Sequence, residues 1–276
     1  MTRVALLQTS SGIDPAANAR ALVAGLKGAA AGGAAIAFTP EMTGLLDRDR
    51  ARAAGSIAGE ADDVVLAAAR AAAARLGLWV HLGSLALRPG GDDTRYVNRG
   101  IVIDDTGAIR ARYDKLHLFD VDLATGGSWR ESAAYAPGTG SVVAETPAGR
   151  LGLSICYDLR FPDLYRALSD AGAEILAVPA AFTVPTGEAH WHVLLRARAI
   201  EAGCFVIAAA QTGTHEDGRT TYGHSLVIDP WGEVLLDMGD APGVGFAEID
   251  LARLHEVRDR IPALRHRRPI PEVVRA

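Results

Sequence analysis

Leu151-Gly-Leu-Ser-Ile-Cys-Tyr-Asp-Leu-Arg-Phe-Pro162 is the stretch on which the fold of this chain turns. Its apolar run, Leu151 to Ile155, predicts a buried strand. Pro162 predicts the first turn of a helix, where proline's fixed φ and missing N–H are tolerated. Cys156 falls between the two. A thiol at a strand-to-helix turn is placed to act as a nucleophile, because free backbone N–H groups and the positive end of the helix dipole favour a thiolate. Free cysteine is equally at home as core filling. On this stretch alone the two readings stand level.

Composition narrows the class. The 276 residues allow one large domain or two small ones, each with an ample core. An apolar fraction of 49% and a charged fraction of 22% are those of a soluble globular protein. A net charge of −5 gives no sign of a surface for nucleic acid or anionic membrane. The short basic cluster Arg265-His-Arg-Arg268 reads as a solvated tail or a subunit contact. Two cysteines make no disulfide framework, so a cytoplasmic location is expected. The N-terminus runs straight into a strand pattern without a secretory h-region. Charged residues or glycine break both alanine-rich stretches, 16–37 and 61–74, short of a membrane span.

Strands and helices alternate along most of the chain. Strands are expected at 3–8, 34–38, 78–87, 141–146, 150–155, 174–178, 204–210 and 245–250, with helices at 15–31, 62–76, 162–171, 191–202 and 251–260. Residues 96–113 and 225–236 read as hairpins around Asp104-Asp-Thr-Gly107 and Asp229-Pro-Trp-Gly232. Residues 114–140 read as irregular. No repeat or linker interrupts the chain, so one domain over 1–270 with a tail at 271–276 is expected. The mixture of βα units and hairpins predicts an α/β fold of mixed sheets with helices outside.

Three polar residues follow strand ends, where side chains of layered α/β proteins converge on a crevice. Glu41 follows Ile36-Ala-Phe-Thr-Pro40, Lys115 follows Ile109-Arg-Ala-Arg-Tyr-Asp114, and Cys156 follows its own strand. A carboxylate can take the thiol proton and later activate water. An ammonium can stabilise the thiolate and the tetrahedral oxyanion. Singly, Lys115 reads as a surface ion pair and Glu41 as a solvated acid; together with Cys156 they make a nucleophilic set.

Phe38-Thr-Pro-Glu41, Tyr113-Asp-Lys-Leu-His-Leu-Phe-Asp120 and Ile155-Cys-Tyr-Asp-Leu-Arg-Phe-Pro162 resemble the three signature blocks of the nitrilase (carbon–nitrogen hydrolase) superfamily, in order and at matching spacing. The likeness runs from Arg3 to about Pro269. It implies a four-layer α-β-β-α sandwich, extended to eight layers in a homodimer or higher homo-oligomer, and catalysis by Glu41, Lys115 and Cys156 without a cofactor or metal. Many members carry a second glutamate between the Lys and Cys blocks that orients the lysine; Glu131 matches it. The stretch Pro179–Glu201, with Ala208-Ala-Ala-Gln211, Tyr222-Gly-His-Ser225 and Asp229-Pro-Trp-Gly232, resembles the Nit amidase branch and within it looks most like deaminated-glutathione amidases. His192 departs from the acidic residue that the branch carries there, a change with packing or interface consequences.

The resemblance implies that Cys156 attacks an amide carbonyl and that water hydrolyses the resulting thioester to an acid. The partners are then a small amide and water. Deaminated glutathione would give 2-oxoglutarate and cysteinylglycine, from a pocket open on the leaving-group side. Omega-amidase activity on 2-oxoglutaramate or 2-oxosuccinamate, and hydrolysis of N-carbamoyl amino acids, are the alternatives. The Tyr157 N–H is a second oxyanion donor. Arg160 holds a substrate carboxylate or pairs with Asp158, Asp163 or Glu201, and Phe182 and Thr183 line the acyl pocket. His190-Trp-His192 cannot share a metal on a helix, since alternate positions point about 200° apart. No zinc, Walker, nucleophile-elbow or dinucleotide signature is present. A non-catalytic binding protein would be expected to have lost one of the three residues.

Overall fold

The computed structural model describes residues 1–91, 94–122 and 128–275. In chain order the first part contains β1 (Thr2–Gln8), α1 (Pro15–Ala31), β2 (Ile36–Phe38), α2 (Arg50–Ser56), α3 (Val64–Leu76), β3 (Trp79–Leu87), β4 (Val97–Ile103) and β5 (Ile109–Asp114). A short hairpin, β6 (Asp120–Asp122) and β7 (Ser128–Arg130), follows. The second part contains β8 (Val143–Thr146), β9 (Gly149–Leu153), α4 (Pro162–Asp170), β10 (Ile175–Ala177), α5 (Val184–Ala202) and β11 (Phe205–Ala208). After it come the hairpin β12 (Thr212–Thr214) and β13 (Thr220–Tyr222), then β14 (Leu226–Ile228), β15 (Val234–Asp237), β16 (Gly243–Ile249) and α6 (Leu251–Arg260).

Two six-stranded sheets result, ordered β16-β1-β2-β3-β4-β5 and β15-β14-β11-β10-β9-β8. Each has three parallel strands at its centre joined by helical crossovers, and antiparallel strands on either side. The two parts of the chain thus share a topology that no sequence repeat announces. Side-chain alternation shows why both sheets are buried on both faces. Along β1, Val4 and Leu6 face the core shared with the second sheet, while Ala5 and Leu7 pack under α1 and α3. Ile36 and Phe38 of β2 repeat the first direction and Ala37 the second. Leu151, Leu153, Ile175 and Ile207 close the shared core from the other side, while Tyr165 and Leu168 of α4 pack on the opposite face of that sheet, against Ser154 and Gly152. The layers are therefore α-β-β-α, as expected.

Several expected boundaries shift. Helix α5 begins at Val184, seven residues before the expected Trp191, because Pro185 sits in its first turn and the internal Gly187 is needed for packing. A Cβ at Gly187 would come 2.2 Å from the ring of Tyr222. Residues 114–140 are not wholly irregular: β6, β7 and a 3₁₀ turn over Glu131–Ala133 lie within them. Helix α2 was not expected at all; Asp49 caps it by accepting from the N–H groups of Ala51 and Arg52. Among the described residues no helix is long and apolar enough to cross a membrane.

One close approach positions the first candidate residue. The register of β3 against β4 shifts between Leu82 and Leu85, and Gly83 lies in that bulge. Its N–H donates to Thr39 Oγ1 at 2.9 Å, and the Ser84 N–H donates to the Pro40 carbonyl at 3.2 Å. A Cβ at Gly83 would stand 2.0 Å from Thr39 O and 2.4 Å from Pro40 O, both fixed backbone atoms. Gly83→Ala is expected to destabilise the chain by about 2 kcal/mol or more, as overpacking does. It should also displace the loop bearing Glu41. Urea unfolding together with the alkylation rate of Cys156 would read both, and an unchanged midpoint would refute the packing account.

Candidate active site

Cys156 follows β9 and opens a 3₁₀ turn over Cys156–Arg160, so the helix beginning at Pro162 does not start at the thiol. Its backbone lies in the left-handed region, at φ 51°, and its N–H donates to the Pro179 carbonyl at 2.9 Å. Such a φ is strained for a side chain larger than glycine and persists only where the surroundings enforce it. Asp158, fully buried, does the enforcing. Its carboxylate accepts from the Ile155 N–H (2.8 Å), the Tyr113 hydroxyl (2.7 Å) and the His117 N–H (3.0 Å). On the other side, Arg198 of α5 donates twice to the Leu159 carbonyl. The elbow is thereby tied to β5 and to α5.

Lys115 and Glu41 arrive from the facing sheet. Lys115 Nζ lies 2.8 Å from Glu41 Oε1 and 3.0 Å from Glu131 Oε2, and its side chain is 2% exposed. Asn98 of β4 donates from Nδ2 to both Glu41 and Glu131, at 3.0 and 3.2 Å. The Ala181 N–H, just past β10, donates to Glu41 Oε2 at 3.0 Å. Glu131 also accepts from the Phe119 N–H. Glu41, Lys115, Glu131, Cys156, Tyr157, Arg160, Phe182 and Thr183 all line one cavity of about 680 Å³, so the eight residues singled out in the sequence do come together.

Residues 3–259 match the family model described as carbon-nitrogen hydrolase. This chain belongs to the carbon–nitrogen hydrolase family. Similar to this hydrolase is a deaminated glutathione amidase of Bos taurus, 42% identical over 274 residues, covering 96% of this chain and 82% of that protein. Another, from Yersinia enterocolitica, is 45% identical over 206 residues, covering 74% of this chain and 72% of that protein. Among solved structures, the Caenorhabditis elegans NitFhit protein superposes with a TM-score of 0.89 at 38% identity; the match covers 97% of this chain and 65% of that one.

In this hydrolase the electrostatics of the site depart from one expectation. The Cys156 thiol is not predisposed to ionise. Burial pushes its pKa up, the Glu41 carboxylate beside it pushes further, and the Lys115 charge offsets only part, leaving it well above the ordinary thiol value. Burial also pushes Glu41 up, but Lys115 and the Asn98 hydrogen bond more than offset this, so its carboxyl titrates below the usual range. Burial disfavours the Lys115 ammonium, yet Glu131 and Glu41 outweigh that and hold it charged far above its usual range. The resting site is a neutral thiol beside a carboxylate, with an ammonium between two carboxylates.

Other sequence readings are corrected by placement. Arg160 pairs with none of Asp158, Asp163 or Glu201: Glu201 is taken by Arg198, Asp158 is enclosed by the elbow, and Arg160 lies over the rings of Tyr157 and Phe182. The other cysteine, Cys204, lies just before β11, with Arg258 Nη2 3.2 Å from its sulfur. Burial still pushes that thiol up to about 11. Tyr157 N–H, second in the 3₁₀ turn, has no backbone acceptor among the described residues. Asn98 and Asp158 were missed as site residues. The signal for Asn98 was a lone amide inside the apolar strand Val97–Ile103.

The thiol makes a prediction about stability. An unfolded cysteine titrates near pH 8.5, whereas folded Cys156 stays protonated well above that. The folded state therefore binds more protons in this window, and stability falls as pH rises above about 8.5 by up to about 1.4 kcal/mol per pH unit for each such thiol. Cys156→Ala removes one contribution and leaves that of Cys204. Denaturation midpoints between about pH 8 and pH 10 should decline less steeply in the variant. Parallel declines would overturn the assignment of a raised thiol pKa.

Proposed function

We propose that this carbon–nitrogen hydrolase cleaves the amide bond of deaminated glutathione through a thioester on Cys156, releasing cysteinylglycine and then 2-oxoglutarate. The observation that carries the reading is the cluster of Glu41, Lys115 and Cys156 inside a cavity large enough for a tripeptide-sized amide. The names of the related amidases from Bos taurus and Yersinia enterocolitica support the substrate.

Because the thiol is neutral at rest, proton loss accompanies attack. As Cys156 Sγ closes on the carbonyl carbon, Glu41 takes its proton, a transfer favoured once the charge moves onto the carbonyl oxygen. That oxygen is met by the Tyr157 N–H and by the Lys115 ammonium. Collapse breaks the C–N bond, and Glu41 returns the proton to the leaving nitrogen of cysteinylglycine. A water molecule then gives its proton to Glu41 and its hydroxide to the thioester carbon, freeing the acid and the thiol. Glu131 and Asn98 act as positioning residues, fixing the lysine and the carboxylate.

The cavity rim suits a substrate with carboxylates at both ends. Arg48, Arg50 and Arg160 line it; Arg50 donates to the Arg130 carbonyl, and Arg160 Nη1 lies 3.3 Å from His190 Nδ1. Omega-amidase substrates and N-carbamoyl amino acids carry the same reactive group on a smaller frame, so the size of the cavity favours the larger amide. This reading also takes the hydrolase to be cytoplasmic and homodimeric. The exposed Val193 and Ile200 on α5 fit a subunit contact, and light scattering at twice the 28.9 kDa chain mass would bear it out.

Assays against deaminated glutathione, 2-oxoglutaramate and an N-carbamoyl amino acid test the substrate. The first should show the highest kcat/KM, and negligible turnover of all three would sink the assignment. Cys156→Ala should lower kcat by more than about a thousandfold. Arg160→Gln should raise KM for deaminated glutathione by about tenfold with a smaller effect on kcat, as loss of a carboxylate clamp does. EDTA should leave turnover intact, and its loss would restore the metal-dependent alternative.

A further inference from the structure

The two histidines of His190-Trp-His192 go separate ways: His190 Nδ1 lies 3.3 Å from Arg160, while His192 turns toward β15. There His192 Nε2 is 3.0 Å from Asp237 Oδ2, and His224 Nδ1 is 2.9 Å from Asp237 Oδ1. The three possible ligand atoms lie within 4.8 Å of one another. We propose that His192, His224 and Asp237 bind a divalent late first-row transition-metal ion, of which zinc is the representative, at a site separate from the amide-cleaving cavity.

The geometry is close to that of a bound ion. Metal–ligand bonds of about 2.0–2.1 Å at tetrahedral angles place neighbouring ligand atoms about 3.3 Å apart. His192 Nε2 and His224 Nδ1 lie 3.0 and 3.2 Å from the same oxygen, Asp237 Oδ2, already near that edge, and with the two nitrogens within 4.8 Å of each other a small side-chain adjustment admits an ion. Two imidazoles and one carboxylate select zinc, cobalt, nickel or copper over magnesium or calcium, which prefer all-oxygen sites. The side chains are 33%, 27% and 35% exposed in the order His192, His224 and Asp237, so an ion can enter and keep water as a fourth ligand.

The ligands are held rather than loose. His224 has a left-handed backbone, φ 53°, and its N–H donates to the Gly239 carbonyl. The Gly239 N–H donates to Asp237 Oδ1 at 2.9 Å, and the Tyr222 ring stacks on His224 at 4.5 Å. A histidine in the left-handed region, in a turn otherwise built by Gly223 and Gly239, is the kind of outlier that a side-chain role explains. An ion here would fasten α5 to β15. It would also stiffen one wall of the cavity, because the Trp191 indole donates to the His224 carbonyl at 2.8 Å and packs on Phe182 at 4.8 Å.

The test is zinc titration of the tag-free full-length chain by calorimetry, with thermal unfolding alongside. A Cys156→Ala background keeps the active-site thiol from taking the ion. One zinc per chain and a higher Tm are expected. His192→Gln, which can still donate to Asp237 but offers no imidazole, and Asp237→Asn should each weaken binding by about tenfold or more. Cobalt in place of zinc should give the intense visible bands of a tetrahedral complex. No zinc heat, or equal affinity in parent and His192→Gln chains, would overturn the proposal. Amide hydrolysis by the wild-type chain is scored separately, so failure here leaves the proposed reaction untouched.

Discussion

A lysine ammonium with almost no access to water, held between two carboxylates, is the constraint around which the molecule is arranged. Removing a charge from water is costly unless partners and hydrogen bonds replace the lost hydration. Glu41 and Glu131 both hydrogen-bond Lys115, and Glu41 also stands beside Cys156. Burial first, and then the Glu41 carboxylate, raises the thiol pKa. Asn98 and the Ala181 N–H supply the donors that keep the Glu41 carboxylate ionised in this setting. Each group is explicable only with the others present.

The constraint is met by bringing two similar sheets face to face. Glu41 and Lys115 lie past β2 and β5 of one, Cys156 and Ala181 past β9 and β10 of the other. Gln211, fully buried after β11, donates to the Glu41 carbonyl at 3.0 Å and so reaches across the seam. The site is thus a property of how the sheets dock rather than of either sheet. The elbow at Cys156 shows the same dependence: its strained backbone is maintained by an aspartate that also binds Tyr113 and His117, from the end of β5 and the chain just beyond it.

Much of this was legible in the sequence because local chemistry declares it. Asp14 before Pro15 and Asp250 before Leu251 cap α1 and α6 at their expected first residues. The three polar residues at strand ends marked the site. What stayed hidden was set by distant partners. Val-Pro-Thr-Gly at the start of α5 has turn chemistry, and only packing against Tyr222 makes the glycine acceptable in a helix. The 3₁₀ turn at Glu131 forms where Lys115, Asn98 and the Phe119 N–H need its carboxylate. Cys156 looked ready to ionise because the helix dipole was visible in one segment, while the opposing carboxylate lay 115 residues earlier. His192 looked like a departure in packing, and its partner Asp237 is 45 residues away.

The neutral, buried thiol has a consequence for life in an oxidising cell. Peroxide and disulfides react with thiolates, and susceptibility follows thiolate character and exposure. A sulfur held protonated by burial and by an adjacent carboxylate is sheltered from both while the cavity is empty. In the reaction proposed above, it becomes nucleophilic only as an amide carbonyl accepts its electrons and Glu41 its proton. The same burial and charge that make Cys156 reluctant to ionise also slow its loss to oxidants.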